Sequence, residues 1–172
     1  AEMEAMQAML LEMGIASPVT KESAGALYHQ ELSRQLADFL GGALQREGGM
    51  MTLPDVYCLF NRARGSELIS PEDLLQACHL WAGLGIPLRL RRFESGVLCV
   101  EAAAHSDDEV CATLGMLLEG NDRASLGARD AAEVLGVPLA LAAEHLLTAE
   151  KRGVLCRDDG PDGLRFFRNF FR

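Results

Sequence analysis

One pattern in this sequence limits the fold more than any other: a helix-start signal, an amphipathic helix, a closing glycine and a β-hairpin, run through twice. In the first pass Ser70-Pro71-Glu72-Asp73 supplies an N-cap, a proline in the first turn and acids beside the positive helix end. Leu74, Ala77, Cys78, Trp81 and Leu84 follow at helical spacing, and Gly85 ends the run. The period then changes. Leu88-Arg89-Leu90-Arg91 alternates, Glu94-Ser95-Gly96 turns, and Val97-Leu98-Cys99-Val100 returns. In the second pass a helix from about Leu139 to Arg152 closes at Gly153, Val154-Leu155-Cys156 reads as a strand, Asp158 to Gly163 as a turn, and Leu164-Arg165-Phe166-Phe167 pairs back. Gly85 and Gly153 lie 68 residues apart, and Pro71 and Pro138 lie 67 apart.

Two further helices precede each of these segments. An apolar stripe of Leu32, Leu36, Phe39, Leu40 and Ala43 runs from Tyr28 to Gly48-Gly49, and Thr52 caps a short helix carrying Leu53, Val56, Tyr57 and Phe60. In the second half Ser106-Asp107-Asp108-Glu109 opens a helix with Val110, Leu114, Leu117 and Leu118 inward. A short helix from about Ala128 to Leu135 follows, without a clear serine or threonine cap in Asn121 to Ala128. Three helices and a two-stranded wing make the winged-helix plan, a helix-turn-helix variant. The expected fold is therefore mainly α with small β-hairpins (α+β): two tandem winged-helix domains over 20–104 and 105–172, joined by a short linker at Glu101 to His105. A methionine-rich helix or linker segment, 1–19, precedes them. Glycines at 41, 42 and 83 are expected to lower stability without changing the fold.

Charge narrows the function. Sixteen basic residues against 25 acidic ones give −9, with the acid spread over both halves. Nonspecific nucleic-acid affinity comes from cations neutralising phosphates, so a polyanion is a poor partner for either half. The helix from Ser70 to Leu84, which would lie in a DNA groove, has Glu72 and Asp73 and no lysine or arginine. Arg89, Arg91 and Arg92 are the densest basic cluster, read either as a solvated strand face or as a surface for an acidic partner.

The five cysteines are odd in number, widely spaced and set in apolar stretches, so they read as buried thiols of a reducing compartment, not disulfides or a zinc site. His29, His79, His105 and His145 show no metal-binding spacing, and no nucleophile or phosphate-loop motif is present. Catalytic residues, cofactors and metals are therefore expected to be none. No apolar run reaches the length of a membrane span. The start, Ala1 to Met6, carries acids where a secretory signal carries cations, and reads as the edge of a piece of a longer protein.

The aromatic residues are concentrated at one end. Of ten aromatics, Phe166, Phe167, Phe170 and Phe171 fall within six positions. One of Phe166 and Phe167 must face inward from its strand; the others are candidates for a partner anchor.

Longer stretches carry a resemblance. Val56 to Gly65 with Leu68 to Leu74, Pro87 to Arg91, Ser95-Gly96-Val97, Ala149 to Asp159 with Gly163 to Phe166, and Met13 to Thr20 are similar to the C-terminal region of the vacuolar protein sorting-associated protein 36 family. The resemblance implies a non-enzymatic subunit of the endosomal sorting complex ESCRT-II, acting on ubiquitinated membrane cargo bound for multivesicular bodies. It implies sister subunits, vacuolar sorting proteins 22 and 25, as partners, and a cytoplasmic protein recruited to endosomes. It places lipid and ubiquitin contacts in an N-terminal domain outside this chain. The partner-binding candidates are Arg157, Asp158, Asp159, Leu164, Phe166, Phe167, Phe170 and Phe171. The alternative class is an acidic winged-helix DNA-binding factor.

Overall fold

The computed structural model describes residues 14–15, 17–119, 124–161 and 163–171. The methionine-rich stretch at residues 3–13 lies outside the described residues. Two compact units are present: one reaches to Arg92 and includes Gly96–Ala103, the other joins Phe93–Ser95 to Ala104–Arg172.

In the first unit Thr20 caps a single helical turn, α1 (Lys21–Ala24), in a reciprocal pairing with Ser23. A 3-10 turn, Gly25–Leu27, leads into α2 (Tyr28–Arg46), whose Leu32, Leu36, Leu40 and Ala43 are all buried. Each such leucine contributes about 1.5–3 kcal/mol by leaving water. Neither Gly41 nor Gly42 would meet an atom within 4 Å if given a Cβ, so no packing need accounts for them. At Gly48 and Gly49 the chain takes φ of 72° and 85°, which a side chain would resist. It then forms β1 (Met50–Thr52), a strand that three residues between two glycines and a cap do not announce.

Thr52 caps α3 (Leu53–Arg64) by accepting the Asp55 N–H, with Pro54 in the first turn. Ser70 caps α4 (Pro71–His79) in the same way through Asp73. The α-helix stops at His79, short of the expected Gly85, and the chain turns onward. Trp81 still reaches the core fully buried, its indole N–H donating to the Ser33 carbonyl at 3.2 Å. β2 (Leu88–Arg92) and β3 (Leu98–Ala102) form the hairpin, and β1 pairs with the far edge of β3 in an antiparallel sheet of order β1-β3-β2. Met50 and Arg89 both lie opposite Glu101, which is therefore the middle residue of a three-strand row. Glu101, expected in a linker, is a strand residue.

In the second unit Ser106 caps α5 (Asp107–Met116). The absent serine cap of α6 (Ala128–Leu135) is replaced from within: Asp130 accepts the Gly127 N–H at 2.8 Å. Gly136, left-handed, ends α6, and α7 (Leu139–Lys151) buries Leu141, Ala142, Leu146 and Ala149. β4 (Leu155–Gly160) and β5 (Gly163–Arg168) pair over their full lengths. This hairpin is longer than expected, with Asp158 and Asp159 in the ladder opposite Arg165 and Leu164 instead of in the turn. Leu126 adds two backbone hydrogen bonds of 2.8 Å to Phe166, so a third strand-like segment edges β5.

The architecture is two tandem winged-helix domains. The cysteine expectation holds only in part. Cys78, Cys99 and Cys111 are buried, but Cys156 is half-buried and Cys58 exposed, because Cys58 sits on the outer face of α3. Burial pushes the Cys78 thiol up to about 12, which leaves it unreactive. Among the described residues no single helix is long and apolar enough to cross a membrane.

Candidate functional site

The wing and tail of the second unit hold all eight residues singled out from the sequence, and the structure separates them by role. Phe166 is 2% exposed and belongs to the core. It is withdrawn from the candidate surface, because the backbone bridge to Leu126 and the side-chain alternation of β5 turn it inward. Phe167, next along the strand, takes the opposite face, is half-buried, and lies across from Cys156.

Arg157 is committed within the unit. Its guanidinium grips Glu150 of α7 through two hydrogen bonds, from Nε at 2.6 Å and from Nη2. The bond from Arg157 holds the Glu150 carboxyl below its ordinary range against the opposing effect of burial. Asp158 and Asp159 are exposed on the strand. Arg165, opposite Asp158, reaches Asp130 at 3.1 Å and the Ser125 hydroxyl and carbonyl at 3.0 Å, tying β5 to the start of α6.

Beyond β5 the tail is held but not covered. The Asn169 amide donates to the Gly153 carbonyl at 2.8 Å, its backbone N–H to the Val154 carbonyl at 3.1 Å, and its side-chain oxygen accepts the Phe171 N–H at 3.0 Å. Asn169 thus fixes the path of the chain while Phe170 and Phe171 stay 57% and 91% exposed. The Arg168 guanidinium lies 5.7 Å from the Phe170 ring centre. With Leu164 also exposed, the arrangement offers apolar side chains on an ordered backbone, flanked by acids. Such a surface suits docking, in which apolar anchors give affinity and rim charges give specificity.

Elsewhere the structure redirects two sequence readings. Arg92 is exposed and Arg89 half exposed, as on a solvated strand face, while Arg91 is more covered; Arg89 and Arg91 also have a task within the sheet. Both hydrogen-bond to the carboxylate of Glu101, which is 1% exposed; the Arg91 contact is 3.3 Å. Two cations on β2 neutralise one buried anion on β3. The groove-reading helices are equally occupied. On α4, Asp73 binds the His29 ring nitrogen at 2.9 Å and the Lys21 ammonium at 3.3 Å. At the end of α7, Lys151 pairs with Glu94, and Arg152 with Asp107 and Asp108. The cations near these helices are paired with neighbouring acids, and the DNA-binding alternative gains no support.

The four histidines show no metal-binding spacing in the sequence, yet two of them meet in the fold. His105 and His145 in fact stack at 5.6 Å between ring centres. Residues separated by 40 positions and joined only by folding leave no spacing motif to find.

Comparison with known proteins gives one consistent answer. Residues 1–159 match the model of the EAP30/Vps36 family. A vacuolar protein-sorting-associated protein 36 from Danio rerio is 52% identical over 164 residues, covering 94% of this chain and 42% of the relative. The protein of that name from Homo sapiens is 49% identical over the same shares. The chain therefore spans less than half the length of these relatives. A chain in the structure of the ESCRT-II endosomal trafficking complex superposes with a TM-score of 0.67 at 22% identity, over 92% of this chain and 98% of that one, a likeness of fold.

Proposed function

Because the chain belongs to the EAP30/Vps36 family, we propose that it is a structural subunit of the endosomal sorting complex ESCRT-II. It would act without catalysis in moving ubiquitinated membrane cargo toward multivesicular bodies, as a cytoplasmic protein recruited to endosomes. Its partners on this reading are the sister subunits, vacuolar sorting proteins 22 and 25. The second winged helix would receive one of them on the wing and tail, with Leu164, Phe167, Phe170 and Phe171 as apolar anchors and Asp158 and Asp159 at the rim. Arg157 would contribute by holding β4 against α7 through Glu150.

The observation that carries the reading is the identity of about half the residues, across nearly the whole chain, with relatives bearing the sorting-protein name. Two features support it. An acidic surface favours protein partners over polyanions, and the ordered aromatic tail is uncovered by its own unit. Co-expression with sorting proteins 22 and 25, followed by size exclusion, tests it. A single peak holding all three chains is expected, and elution of this chain alone at micromolar concentration refutes the assembly role.

A further inference from the structure

We propose that His105, Asp107 and His145 of the second unit form a binding site for one divalent transition-metal ion of the zinc class. One ring nitrogen from each histidine and one carboxylate oxygen lie within 4.8 Å of one another, with His145 buried and the other two partly so. The His105 side chain is only 7% exposed, and its Nε2 is buried with no hydrogen-bond partner, 3.9 Å from the Asp107 carboxylate. A buried polar atom left in that state is costly and calls for an occupant.

The donor set selects the ion. Two imidazoles and one carboxylate suit zinc and its first-row neighbours, whereas calcium and magnesium prefer oxygen alone. Three protein donors leave the fourth tetrahedral position to water. Tetrahedral zinc with bonds of about 2.0–2.1 Å needs its donors roughly 3.4 Å apart, so modest side-chain rotation closes the site.

The surroundings support the ligands. Phe93 meets the His145 ring edge-on, at 6.4 Å and 89°, and fixes its plane. Arg152 holds the other oxygen of Asp107 at 3.1 Å, as outer partners orient a ligating carboxylate. Asp108, in the same helical turn, also pairs with Arg152 and offsets its charge. His105 and Asp107 flank the Ser106 cap and His145 lies midway along α7, so a bound ion would cross-link the start of α5 to α7. This inference does not depend on the proposed assembly role.

The test is titration of the chelator-treated full chain with zinc by calorimetry, and with cobalt followed by visible absorption. One equivalent is expected, with d–d bands of a nitrogen–oxygen tetrahedral site. H105N and D107N should each weaken binding at least about tenfold, with folding of both checked by circular dichroism. D107N keeps an acceptor for Arg152, so it isolates the ligand role. Absence of saturable uptake overturns the proposal. So does equal uptake by the wild type and both variants, which would place the metal on accessible groups such as Cys58 or His79.

Discussion

Asp73 shows how a single carboxylate connects three elements. It sits in the first turn of α4, accepts from His29 on α2 and Lys21 on α1, and is nearly buried. Burial alone would raise its pKa, but hydrogen bonds from His29, Ser70 and Lys21 outweigh it, and the net value falls below the ordinary 3.8. A carboxylate with a depressed folded pKa adds stability above its unfolded pKa and loses it as pH falls through the folded value. D73N should therefore cost about 1–2 kcal/mol at pH 7. The gap between variant and wild type should begin to close as pH falls through the ordinary carboxylate value of 3.8 and go on closing below it. Urea unfolding at a series of pH values measures this, and a gap independent of pH would mean that packing, not charge, explains Asp73. The capping role of Ser70 was legible, since cap chemistry is local. The ion pairs were not, because Lys21 and His29 reach Asp73 only through tertiary packing.

At the scale of elements, the alternation of Leu88 to Arg91 announced a strand correctly but not what its arginines serve. Their partner Glu101 is set opposite them by hairpin register, and β1 places Met50 on its other side. A three-residue strand has too little period to show, so the interior position of Glu101 could not be seen. Removal of both arginines would strand a buried anion. R89A/R91A should lose about 2–4 kcal/mol, discounted because Arg89 is half exposed. Adding E101Q should restore part of that by neutralising the orphan. A triple variant no more stable than the double, by denaturant midpoint, would show that the arginines act through their stems and not their charge. The second hairpin repeats the lesson: clustered acids and glycines looked like turn composition, yet Asp158 and Asp159 are paired strand residues.

For the whole molecule, the tandem repeat was legible because it rests on local signals used twice: caps, helical stripes and closing glycines. The candidate surface was legible in outline only. Sequence marked the aromatic cluster but could not sort it, and the fold assigns Phe166 to the core while leaving Phe170 and Phe171 outside. That division makes the docking reading separable from stability. Exposed side chains contribute little to folding, so F170S/F171S should shift the unfolding free energy by no more than about 0.5 kcal/mol. Anchors desolvated in an interface are worth far more, so the same variant should weaken the proposed complex with sorting proteins 22 and 25 by at least about tenfold. Apolar anchoring also predicts that raising salt from 50 to 500 mM, about a threefold drop in Debye length, leaves wild-type affinity within a few-fold. Equal affinity for variant and wild type would remove the tail from the interface and leave the wing to be tested by L164S, at a residue 39% exposed.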